Sequence, residues 1–274
     1  MSTISDILAK TAELKTIKAN IKESIVSSGG TVSDSDSFAS YAAKIEELPA
    51  NPAEKFGVSL YNILGTVDAN GNLTATSNPI SLNFSGVTKI GANVLFDVFC
   101  ENANIKSVNL SSVQQIDERG LFRCFYQCEN ITSVNLSGLQ VLGPQAMHYA
   151  FYKCTNLSGD IDFSKLTTIE SGGMQYAFEY CKKITSVNFS SLKSIASGGM
   201  SGTFDSCHGL TTISFPALTN VDRNGFSSGT TGAFHYCGPI KAIHFRSDMR
   251  STIEAMNGYS EKWGATNATI YFDL

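Results

Sequence analysis

Charge is scarce in this chain. Asp, Glu, Lys and Arg make up 16% of 274 residues and the formal net charge is −4, against about a quarter charged in ordinary soluble domains. A broad nucleic-acid surface needs clustered Lys and Arg to displace counterions from phosphates, so none is expected. No apolar run reaches the ~18 residues of a membrane-spanning helix, and the opening MSTISDILAKTAELK lacks an apolar core like that of a secretory signal. The chain therefore reads as soluble, without its own export signal. The HExxH, GxSxG and P-loop motifs are missing as well, which leaves metalloprotease, serine-hydrolase and nucleotide chemistry without their usual scaffolds. The Cys count is seven, an odd number that cannot be fully paired within one chain.

What is present in abundance is a repeat. Segments ending in Cys recur at 124–128 (CFYQC), 150–154 (AFYKC), 177–181 (AFEYC), 203–207 (TFDSC) and 233–237 (AFHYC). A short alternating run follows most of them, with an inner apolar residue at Leu82, Val108, Val134, Ile161, Val187, Ile213 and Ile243. Five residues later a second apolar column holds Val87, Val113, Leu139, Leu166, Leu192 and Leu218. Eight residues later a third holds Ile90, Ile116, Leu142, Ile169, Ile195 and Val221. Such a period implies a solenoid, since no unit can bury its apolar face alone. Each unit should open with a V-x-F or V-x-L strand, turn at Ser, Gly or Pro, point L-x-x-I inward, and close with a short helical turn. In GGMQYAFEYC the apolar positions Met174, Ala177, Phe178 and Cys181 have the spacing of one helix face. The strands should form a parallel ladder, and the extra residues near 227–231 should bulge at the surface.

The pattern L-x-x-I-x-x-x-[GA]-F-x-x-C-x-x-L-T-S-[VI] resembles the BspA-type leucine-rich repeat of bacterial surface and host-interaction proteins, over about residues 80–245. The units here are longer, with Ser-Gly-Gly-Met where a shorter connection is common. The fold expected is an α/β leucine-rich-repeat solenoid with a parallel strand ladder, preceded by a small helical segment. The resemblance implies binding rather than catalysis.

Residues 1–50 fall outside the repeat. Ile7, Leu14, Ile17, Ile21 and Ile25 mark the apolar stripe of a helix over about 3–27, stopped by Gly29-Gly30. A second helix carries Phe38, Tyr41 and Ile45. The stretch 17–49 is similar to a short module near the N-termini of tailed-phage virion proteins, including fibre and host-attachment proteins. Residues 1–50 are thus read as an anchoring or oligomerisation segment, 51–79 as a hairpin and cap, 80–245 as the solenoid, and 246–274 as the C-terminal cap. The hairpin turn is placed at Asp68–Asn72, where Asn70-Gly71 is a favoured turn pair. Its likeness to a calcium loop fails at Leu73 and Pro79, where Gly and Glu are needed.

The Cys column (Cys128, Cys154, Cys181, Cys207, Cys237) should run along a line, one thiol per coil. Zinc needs ligands that converge on a point, so small buried apolar thiols are expected and no metal or cofactor. Six Tyr, namely Tyr126, Tyr149, Tyr152, Tyr176, Tyr180 and Tyr236, flank the inward residues of the closing turns. They read as a row of partly exposed rings suited to sugars or proteins, or as rings that merely cover backbone. On the strand face the outward column is Asn109, Asn135, Asp162, Asn188, Ser214 and His244, either a hydrogen-bonding surface or a solvated sheet.

The reading is a non-enzymatic phage virion protein, a fibre or receptor-binding component that binds a bacterial surface glycan or protein through its repeat. It would dock on other virion proteins, or self-associate with a trimer favoured, through residues 1–50. The alternative is a BspA-like adhesion module at the bacterial cell surface.

Overall fold

The computed structural model describes residues 80–84, 86–228 and 231–274, together with the strand pair Thr66–Val67 and Leu73–Thr74. The helices expected over 1–50, with Ile7, Leu14, Ile17, Ile21 and Ile25, lie outside the described residues.

The chain winds into a parallel β-solenoid of about seven coils with little helix. Alternation sets the first ladder. In Ile105–Asn109 the apolar Ile105 and Val108 are buried, as is the following Leu110, and a strand whose one face is buried is held in register. Leu82 pairs with Val108, Val108 with Val134, Ile161 with Val187, and Ile213 with Ile243. These are members of the inner column read from the repeat. All are buried except Val134, which is half-buried. The ladder is interrupted: Ile80–Asn83, Ile105–Asn109 and Ser133–Asn135 form one sheet, Ser158–Asp162 and Lys183–Asn188 a second, and Thr212–Phe215, Ala242–Phe245 and Thr269–Phe272 a third.

The more continuous sheet is built from the third column. Two-residue strands Lys89–Ile90, Gln115–Ile116, Val141–Leu142, Thr168–Ile169, Ser194–Ile195 and Asn220–Val221 join into one six-stranded parallel sheet. Between the two ladders each coil turns a corner on its buried Val or Leu.

The segment expected as a helical turn is a ribbon of overlapping turns. In residues 117–128 every second N–H bonds the carbonyl three residues back, as Phe122 to Arg119 and Cys124 to Leu121, both at 3.1 Å. The alternate N–H groups bond the next coil instead, as Leu121 to Ala146 (2.8 Å) and Arg123 to His148 (2.9 Å). Every fourth residue takes a positive φ: Arg119, Arg123 and Gln127, then Gln145, Tyr149 and Lys153. The inward residues Leu121, Cys124, Phe125 and Cys128 are all fully buried, so the face assignment holds although the backbone is not helical. Among the described residues the one α-helix is the five-residue Arg250–Glu254.

The insertion before the last coil is a small antiparallel hairpin, Ser227–Ser228 against Thr231–Gly232. Thr66–Val67 and Leu73–Thr74 pair as the hairpin expected around Asn70-Gly71. At the C-terminal end Thr269–Phe272 adds a parallel strand to Ala242–Phe245. Trp263, 1% exposed, inserts its ring beside Phe226 (4.9 Å), and its carbonyl receives the N–H of Phe234 (3.0 Å).

Candidate functional site

The turn ribbon sorts its side chains by backbone geometry. Its inward positions hold Leu or Met, then Ala, Cys or Thr, then Phe and Cys, as in Leu121, Cys124, Phe125 and Cys128, and the tyrosines beside them are half-buried, Tyr236 excepted. The thiols are structural. Each donates to the carbonyl of a Phe in the coil before: Cys128 to Phe99 (2.9 Å), Cys154 to Phe125 (3.3 Å), Cys181 to Phe151 (3.1 Å), Cys207 to Phe178 (3.2 Å) and Cys237 to Phe204 (2.6 Å). Phe99, Phe125, Phe151, Phe178, Phe204 and Phe234 stack beside them with centroids 5.1–6.4 Å apart. Burial pushes the Cys128 and Cys237 thiols up to about 12, which removes the thiolate on which nucleophilic or metal chemistry depends.

The outward columns gather the tyrosines. Tyr126 stacks on Tyr152 (4.6 Å) and Tyr149 on Tyr176 (4.8 Å), one coil apart in each case. Edge contacts tie the two stacks together: Tyr149 to Tyr152 at 5.4 Å, Tyr126 to Tyr149 at 6.2 Å, and Tyr152 to Tyr180 at 5.8 Å. Five of the six tyrosines singled out in the sequence thus form one continuous, half-buried face. Tyr236 stands apart, 67% exposed, with its ring against His235.

The face has members that the tyrosine count missed. The Arg123 guanidinium lies over Tyr126 (4.7 Å), and the Lys153 ammonium lies near Tyr152 (5.3 Å) and Tyr180 (5.8 Å). Phe96, Phe122 and His148 extend it: Phe96 stacks on Phe122 (4.7 Å), and His148 meets Phe122 edge-on (4.9 Å) and lies against Tyr149 (4.5 Å). Both His148 ring nitrogens are buried without a hydrogen-bond partner, and burial, then the nearby Arg119 charge, lowers its pKa to about 4. Aligning the columns one, two, five and six residues before the Cys column brings out Lys153, Arg123, Phe122 and His148, because residues at one repeat position stack across coils.

The stacking also decides what the face can offer. Tyr126 is covered by Tyr152 on one side and approached by Arg123, and a Cβ at Gly202 would sit 2.2 Å from the Tyr176 ring. Ring faces are therefore largely occupied, and edges, hydroxyl ends and two cations remain for a partner. Burial and neighbouring acidic groups push the Tyr149 and Tyr152 hydroxyls up to about 12, so both remain neutral donors.

Further along the ribbon the aromatic columns turn acidic. Asp205, 6% exposed, accepts from Ser206 Oγ (2.7 Å) and pairs with His235 Nδ1 (3.0 Å). Glu179 sits between this pair and Lys153. Burial and the Asp205 charge raise it to about 7, partly offset by Lys153. An Asp–His pair could serve a nucleophile, yet the Ser206 hydroxyl is spent on Asp205 and the Cys237 thiol on Phe204.

The outward strand column is committed to the fold. Asn109, Asn135, Asp162 and Asn188 each accept the N–H of the residue two positions on, at 2.9–3.1 Å, which fixes the corner after each strand. His244 faces Asp273 (2.9 Å) and stacks on Tyr271 (4.9 Å).

Comparison with protein-family models agrees with this architecture. The family model described as BspA type leucine-rich repeat region matches in six copies, over residues 74–198 and 123–256. Among solved structures, the leucine-rich-repeat protein of T. pallidum is similar at 18% identity, over 73% of this chain and 82% of that one, with a TM-score of 0.43. A search of curated protein sequences gives no match.

Proposed function

We propose that this chain, which belongs to the BspA-type leucine-rich-repeat family, is a binding protein rather than an enzyme, and that it engages its partner through the aromatic face of the turn ribbon. The observation that carries this reading is the joined stack of Tyr126, Tyr149, Tyr152, Tyr176 and Tyr180 with Arg123 and Lys153 at its edge. Tyr and Arg dominate the energetics of protein interfaces because they bring large, stiff contact area with a polar end. Rings already held by their neighbours lose little freedom on binding.

The partner we assign is a component of a bacterial surface, with the protein acting as a phage host-attachment or fibre component. The likeness of residues 17–49 to a virion module supports this, with residues 1–50 as the segment for docking or trimerisation. Family membership favours a second reading, an adhesion module displayed on a bacterial cell. Immunogold labelling of phage particles and of producing cells separates the two: label on particle tails or heads supports the first, label on the cell envelope the second. For the face itself, Tyr126→Ala with Tyr152→Ala should lose binding to bacterial cells while the protein still melts cooperatively.

A further inference from the structure

A groove of about 580 Å³ crosses several coils at the corner between the six-stranded ladder and the turn ribbon. It borders the aromatic face at Arg119, whose guanidinium lies 5.7 Å from the Phe122 ring centre, but none of the tyrosines line it. We propose that this groove is a binding site for an extended neutral glycan.

The groove exists because two side chains are missing. The first left-handed position of each ribbon runs through Arg119 (φ 54°), Gln145 (51°), Gly172 (64°) and Gly198 (64°). Backbone conformation alone does not demand glycine here, since Arg119 and Gln145 adopt the same conformation in the same column. Glycine at 172 and 198 instead leaves space, and the column closes again at Asn224. The floor is paired backbone: Gly172 N–H bonds Ser197 O (3.1 Å) and Gly198 N–H bonds Asn224 O (3.0 Å).

The lining selects the ligand class. Its charged residues, Glu118 and Arg119, both sit at one end. Arg119 Nε donates to Gln145 Oε1 (2.7 Å), which turns the Gln145 amide NH₂ outward as a donor. Asn257 Nδ2 donates to Asn224 Oδ1 (2.5 Å) and orients the opposite end in the same way. Between them stand carboxamides and two serine hydroxyls, that of Ser171 donating to Ser197 O (3.1 Å) and so offering its oxygen as an acceptor; such groups pair with sugar hydroxyls. Pro144 is the one apolar side chain longer than a methyl in the lining, so an apolar peptide anchor has no pocket. An added strand has no backbone to pair with, because the floor amides are already used. The groove crosses successive coils, which suits a chain of sugars more than a single compact molecule.

The probe is an array of linear neutral oligosaccharides, with acidic oligosaccharides and short peptides as comparison arms, followed by titration of the best ligand. Gly198→Gln places in the groove the side chain that the same column tolerates at Gln145. Gly198→Ala carries a similar backbone burden without filling the space. Ser197→Arg reaches in from the exposed rim and serves if Gly198→Gln fails to fold. The expected result is preferential binding of neutral oligosaccharides, weakened at least tenfold by Gly198→Gln or Ser197→Arg and less than threefold by Gly198→Ala. Tyr126→Ala with Tyr152→Ala should leave it unchanged, so the groove and the aromatic face succeed or fail separately. No neutral oligosaccharide above background, a preference for the acidic or peptide arm, or indifference to both filling variants would overturn the proposal.

Discussion

Gly120, Gly173, Gly199 and Gly225 each follow an inward β-branched residue by four positions, and the reason is contact. A Cβ added at these glycines would lie 2.6–3.0 Å from the Cγ2 methyl of Ile116, Ile169, Ile195 or Val221. Where that residue is Leu142, which has no Cγ2 methyl on its β-carbon, the position four on is Ala146 and fully buried. Gly199→Ala should therefore cost about 1–3 kcal/mol, read as a lower denaturation midpoint, because one of its clashes is with the fixed carbonyl of Ala196 at 2.9 Å. Two titrating residues pull stability in opposite directions with pH. The folded His148 ring resists protonation down to about 4, so the unfolded chain takes up the proton first and stability falls as pH drops from about 6.5. His148→Phe, which continues the Phe96–Phe122 stack, should remove that part of the acid dependence. Glu179, raised to about 7, behaves in the reverse sense: its contribution is fully present below about 4.5 and is lost as pH rises toward 7. Glu179→Gln should thus be more stable than wild type at pH 8 and no more stable at pH 4, as unfolding curves at the two pH values will show.

At the scale of the element, the ribbon explains both what could be read in the sequence and what could not. The inward columns, the strand register at Leu82, Val108 and Ile161, and the row of tyrosines are all periodic features, and periodicity survives in sequence. The backbone of the ribbon does not. Leu121, Cys124, Phe125 and Cys128 are spaced 3, 1 and 3, the spacing of one helix face, and a ribbon with a four-residue period of left-handed residues presents the same pattern. The discriminating facts are the positive φ at Arg123, Tyr149 and Lys153 and N–H groups shared with the next coil, and nothing in those residue types announces either. The Arg123 contact with Tyr126, three residues on in the same coil, was hidden because it depends on the ribbon backbone, and the Lys153 contact with Tyr180 because it depends on which residue lies one coil away. The thiols give the ribbon its own test. Each closes a bond to a Phe carbonyl inside a stacked column, so Phe178→Ala should cost about 3–5 kcal/mol and Cys181→Ala about 1–2 kcal/mol. In the native protein a thiol reagent should modify half-buried Cys100 first, with the other six reacting only on unfolding. Several fast thiols would contradict a buried column.

At the scale of the whole molecule, stability should spread along the stack, since each coil pairs mainly with its neighbours. The C-terminal end is closed by Trp263, the single Trp of the chain, so its fluorescence reports on the cap, and loss of the cap should register there before the central coils melt. The aromatic face lies over those central coils, on the most regular part of the stack. On the proposed function that placement separates folding from binding: the inward Phe column carries stability, and recognition is assigned to the outward tyrosines. The most direct measurement compares the melting temperature and the bacterial-cell binding of Tyr126→Ala with Tyr152→Ala against Phe178→Ala. The expected result is a double variant that melts within a few degrees of wild type yet no longer binds, beside a Phe178→Ala protein that is strongly destabilised. A double variant that binds as wild type does, or that loses as much stability as Phe178→Ala, would show that the tyrosines serve the fold and not a partner.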